Sequence, residues 1–98
     1  MEDMEATRRE SVKREVSSFI LDNFFSGEEA PALRDEASFL QTGVLDSRGT
    51  LELVSFVEFR YGFSVTDSEI VPQNLDSLNN IAGFVCQNAA WEASRVVG

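Results

Sequence analysis

The amino-acid sequence predicts an all-α domain, a four-helix bundle of three main helices, one short helix and a long first loop. Three segments place apolar residues at helical spacing, and glycine, proline and capping signals fall between them. No run of alternating polar and apolar residues competes with these patterns, and no internal repeat of architectural length is present. A chain of 98 residues has room for one core, so residues 1–98 read as a single domain.

The first helix is expected from about Thr7 to Asn23, with Val12, Val16, Phe19, Ile20 and Phe24 on one stripe and charges opposite. Residues 1–6 before it read as a flexible N-terminus. Ser26-Gly27 ends it, and a connection from Ser26 to Asp46 follows, carrying Gly27, Pro31 and Gly43 without sustained period. Connections of this length are uncommon in compact domains, so it needs anchors, which Leu33, Phe39, Leu40, Val44 and Leu45 supply.

The second helix, Ser47 to Tyr61, points Leu53, Val54, Val57 and Tyr61 inward and stops at Gly62. Thr66 with Glu69 matches a capping box, and Pro72 is expected to close a short helix around Asp67 to Val71. The last helix takes Asp76 or Ser77 as its N-cap and directs Leu78, Ile81, Ala82, Val85 and Ala89 inward, ending near Asn88 to Trp91. Residues 92–98 read as a tail. The phenylalanines around the second helix (Phe56, Phe59, Phe63) and Phe84 in the last are expected to help fill the space between helices, leaving little cavity. Phe59 itself points off the inward stripe and is exposed or only edge-packed.

Charge and composition narrow the function. A net charge of −9 repels nucleic-acid phosphates, and from Val16 onward four bases face twelve acids, so partners with basic patches are favoured and nucleic acid is not. No apolar run approaches the roughly 18 residues a membrane span needs. The mixed charges of the N-terminus do not read as a secretory signal, so a cytoplasmic location is expected. The single Cys86 sits in an apolar helical stretch and reads as a small buried residue. Histidine is absent, which removes Ser-His and Cys-His catalysis and most zinc patterns; no catalytic or metal-binding residue is assigned, and the chain is not expected to be an enzyme.

The most informative stretch is GVLDSRGTLELV, Gly43 to Val54, which sets Ser47 after Asp46 at the start of an amphipathic helix. Unpaired N–H groups and the positive dipole end at such a terminus suit a phosphodiester on Ser47. A second Asp-Ser pair, Asp76-Ser77, precedes only the last helix, where an N-cap role explains it. For Ser47 the same N-cap role is the plain alternative.

From about Phe39 to Val85 the order of these motifs resembles the acyl and peptidyl carrier protein family. The resemblance implies a phosphopantetheine-binding domain in which Ser47 receives the 4′-phosphopantetheine of coenzyme A and Asp46 is the aspartate before it. It implies a free-standing carrier, a monomer that holds acyl or aminoacyl intermediates of fatty acid or polyketide biosynthesis as thioesters. Its implied partners are a phosphopantetheinyl transferase, an acyl- or aminoacyl-loading ligase and downstream synthase enzymes. Glu52 and Glu58 resemble partner-facing residues. Arg48 stands where a Leu or Met is usual, and Phe59 and Arg60 stand where acids are frequent, so Arg48 and Phe59 are expected to be read by the partner too. Two rivals stay open: an unmodified helical module that binds a basic partner through its acidic face, and a small hydrolase using Ser47 or a carboxylate pair.

Overall fold

The computed structural model describes residues 4–25 and 33–89. These form five α-helices and no strand: α1 (Met4–Phe24), α2 (Phe39–Thr42), α3 (Ser47–Tyr61), α4 (Pro72–Leu75) and α5 (Leu78–Asn88), with a 3₁₀ turn at Asp67–Glu69. The class is all-α, a small helical bundle.

The three main helices arise from the apolar spacing. Val12, Val16 and Ile20 of α1, Leu53 and Val57 of α3, and Ile81 and Val85 of α5 are wholly removed from water and form one core. Each such side chain contributes roughly 1.5–3 kcal/mol by leaving water. α1 packs on α5 and on α3. Phe19 of α1 stacks on Phe56 of α3 at 4.4 Å between ring centres, and Phe84 of α5 meets Phe63 edge-on at 5.8 Å. Phe59 takes no part in this filling and is 91% exposed.

α1 begins at Met4, ahead of Thr7, and Glu5 and Arg9 form an i,i+4 ion pair of 3.0 Å that supports its first turns. Residues 4–6, expected as flexible, are therefore helical; residues 1–3, the connection from 26 to 32 and the tail from 90 lie outside the described residues.

Two local expectations need correction. The first loop, expected as a connection without sustained period, contains the short helix α2. Ser38 caps it by accepting the Gln41 N–H at 3.0 Å, and Gly43 ends it with a left-handed φ of 78°. Phe39 and Leu45 anchor this stretch in the core, whereas Leu40, expected as an anchor, is 47% exposed. The second correction concerns Pro72, which opens α4 and does not close a helix. At the first helical position its missing N–H costs nothing and its fixed φ suits the turn. The chain before it forms only a 3₁₀ turn, where Glu69 accepts the Thr66 N–H at 3.0 Å as the capping box requires.

Candidate functional site

Asp46 and Ser47 occupy adjacent positions with separate tasks. Asp46 has extended backbone and its Oδ1 accepts the Gly49 N–H at 2.8 Å, which makes it the N-cap of α3. Ser47 is therefore the first helical residue and not the cap, and the plain alternative for it does not hold. Its side chain is exposed and its hydroxyl has no hydrogen-bond partner among the described residues.

The second Asp-Ser pair is arranged in the opposite sense. Ser77 is 5% exposed and accepts the Asn80 N–H at 3.0 Å, so here the serine is the cap. Asp76 turns away from α5 to α2, where it accepts from the Ser38 hydroxyl and from the Leu40 N–H at 3.0 Å. The resulting contrast is one free surface hydroxyl, Ser47, and one consumed hydroxyl, Ser77.

Beside Ser47 lies an open apolar cleft of about 270 Å³ between α2, α3 and α4. Leu40, Leu51, Ile70, Val71 and Leu75 line it, with Ser47, Thr50 and Asp76 at its polar edge. This cleft departs from the expectation that the phenylalanines leave little cavity. Leu51 was not singled out from the sequence, although its place one helical turn beyond Ser47, off the buried stripe, is the signal that finds it.

The other residues of interest are dispersed over α3. Arg48 and Glu52 are exposed, and neither has an ionic or hydrogen-bonding partner among the described residues. Glu58 is half-buried and its Oε2 accepts the Val65 N–H at 2.8 Å, which fastens the turn after Gly62 to α3. Phe59 projects into water. Arg60 and Tyr61 both reach Glu15 of α1, Arg60 by an ion pair of 2.8 Å and the Tyr61 phenol by donating at 2.5 Å. Burial, then this bond to Glu15, pushes the phenol above its ordinary value. No sequence signal marks Glu15 as a partner of Tyr61, since the contact spans two helices. Among the described residues no three metal-ligating side chains gather, and no helix is long and apolar enough to cross a membrane.

The chain matches no family model and no curated protein.

Proposed function

We propose that this chain is a carrier protein modified on Ser47 by 4′-phosphopantetheine. The observation that carries this reading is the free, exposed hydroxyl of Ser47 at the first position of a 15-residue helix, next to an apolar cleft. A phosphodiester there meets the unpaired N–H groups of Ser47 and Arg48, the positive end of α3 and the Arg48 guanidinium. Asp46 leaves this end ordered by holding the Gly49 N–H.

The Ser47 hydroxyl donates to no group among the described residues, and the Asp46 carboxylate beside it accepts from the Gly49 N–H, so activation falls to a separate phosphopantetheinyl transferase. The Ser47 oxygen bonds to the pantetheine-bearing phosphorus of coenzyme A, the bond to adenosine 3′,5′-bisphosphate breaks, and the serine proton passes to the transferase. The arm supplies a thiol that holds acyl or aminoacyl cargo as a thioester, and its tether raises the cargo's effective concentration at each enzyme visited. In this reading the chain is itself no enzyme. Leu40, Leu51, Ile70 and Leu75 offer apolar cover to cargo beside the attachment point, and the closed core favours cargo that the cleft alone accommodates.

The test is incubation with a broad-specificity phosphopantetheinyl transferase, Mg²⁺ and coenzyme A, read by intact mass and peptide fragmentation. One phosphopantetheine on Ser47 is expected, lost in Ser47→Ala and kept in Ser77→Thr, which preserves the cap. An unmodified wild-type chain, or modification that persists in Ser47→Ala, overturns the assignment.

A further inference from the structure

We infer that the groove between α1 and α3 is a binding site for an aromatic carboxylate, whose ring lies on Phe19 and Phe56 and whose acid group meets Arg14 and Ser18. The inference does not draw on the carrier reading. Phe56 stands on α3 about two and a half turns beyond Ser47, so the groove opens about 180° around that helix from the free serine. It shares no lining residue with the cleft beside Ser47.

The groove holds about 500 Å³, within the roughly 300–1,000 Å³ of small-molecule sites. Its floor is the pair Phe19 and Phe56, stacked at 4.4 Å with 17° between the ring planes. Both rings pack against the core, yet both are only half-buried. A planar apolar ligand therefore removes from water the aromatic surface that the fold leaves wet, and ring meets ring in an offset or edge-on contact.

The rim selects the ligand's polar groups. Arg60 is held by Glu15 at 2.8 Å and lies over the Tyr61 ring at 5.3 Å, and Glu15 also accepts from the Tyr61 phenol. Asn23 is occupied by the Phe19 carbonyl, to which it donates at 2.8 Å. That leaves Arg14, Ser18 and Asp22, all exposed and all without a hydrogen-bonding or ionic partner among the described residues. They follow at i+4 steps along one wall of the groove. Arg14 and Ser18 are neighbours on that wall, a guanidinium fork and a hydroxyl donor that can share one carboxylate. Asp22 lies about 12 Å along the axis from Arg14, where it repels an acid and accepts from a donor. Charges more than about 8 Å away are largely screened at physiological salt, so the −9 of the whole chain does not cancel Arg14 at its end. The wall thus fits an acid at one end of an aromatic ring system and a hydroxyl or amine at the other.

The experiment is titration of the isotope-labelled chain with 6-hydroxy-2-naphthoate, which carries an acid and a hydroxyl at opposite ends of two fused rings, followed by amide chemical shifts. Saturable binding with a Kd of about 1 mM or tighter is expected, with the largest shifts at Ser18, Phe19 and Phe56. Two reference compounds, 2-naphthol without the acid and 2-naphthoate without the hydroxyl, are each expected to bind at least about threefold more weakly. Arg14→Gln is expected to weaken the hydroxynaphthoate at least about fivefold. Arg34→Gln, at an exposed arginine before α2, and Ser47→Ala are expected to bind as wild type does. Circular dichroism establishes that each variant is folded. Absence of saturation, equal affinity for either reference compound, or wild-type affinity in Arg14→Gln overturns the inference. Largest shifts at Leu51 and Leu75 place the ligand in the cleft beside Ser47 and overturn it as well. Arg14-dependent binding to a wild-type chain that gains no phosphopantetheine upholds this site and overturns the Ser47 reading alone.

Discussion

At the scale of single residues, the two Asp-Ser pairs show how a shift of one position in cap register reverses the fate of a hydroxyl. In the pair before α3 the aspartate caps and the serine is free; in the pair before α5 the serine caps and the aspartate is free to reach α2. Each cap satisfies an N–H that otherwise ends the helix unpaired. Asp46→Ala is expected to cost about 1 kcal/mol and Asp46→Asn far less, because the amide oxygen still accepts. Ser77→Ala, which leaves the part-buried Asn80 N–H without its acceptor, is expected to cost about 1 kcal/mol, while Ser77→Thr keeps most of the stability. Urea unfolding checks all four, and an Asp46→Ala chain as stable as wild type would refute the assignment of the cap.

At the scale of elements, α2 depends on a contact far away in sequence. Four residues of helix are too few to be stable alone, since nucleation outweighs the one or two bonds formed. The clamp from Asp76 supplies what α2 lacks: its side chain holds Ser38 and the Leu40 N–H, and its carbonyl accepts the Phe39 N–H at 2.8 Å. This explains why local reading missed the helix, whose apolar content of Phe39 and Leu40 shows no period. Asp76→Ala is expected to cost about 1–3 kcal/mol through the lost bonds to charge. Hydrogen exchange should then show faster exchange at Leu40 and Gln41, with protection in the middle of α1 and α3 retained. Uniform loss of protection along all helices would show that α2 is not a separable element. Because α2 forms one wall of the cleft beside Ser47, the same variant changes the cover available there.

At the scale of the whole molecule, α1 and α3 are joined by the Glu15, Arg60, Tyr61 group, and this join has a pH signature. Burial and the bond to Glu15 favour the neutral phenol, so its folded value lies above the unfolded one of about 10. Its stabilising contribution is complete below that unfolded value and is withdrawn as pH rises above it. Lys13 acts in the same window, since its bond to Asp35 at 2.9 Å favours the ammonium and raises its value. Burial raises the Cys86 thiol, which adds a loss that starts at lower pH, from about 8.5. The Tm is therefore expected to hold steady through neutral pH and to fall as pH rises past about 9 to 11. Tyr61→Phe should shallow that fall, and Lys13→Gln should remove a further share of it. An alkaline slope identical in wild type and Tyr61→Phe would show that the phenol does not link the helices energetically.

Local order alone determined much of this protein. The apolar spacing of Val12, Val16 and Ile20, of Leu53 and Val57, and of Ile81 and Val85 specified three amphipathic helices and their inner faces, because helical period is a property of neighbouring residues. Gly62 ended α3 for an equally local reason, its left-handed φ of 74°. The exposure of Phe59 followed from its place off that stripe. Tertiary structure decided the rest: that α2 forms, that Pro72 begins a helix, that Glu58 is spent on Val65 and Glu15 on Tyr61, and that Ser47 opens beside a cleft while Ser77 is buried. Each of these outcomes depends on groups brought together by packing across long stretches of chain, and a contact between distant residues leaves no periodic trace in the segment that makes it.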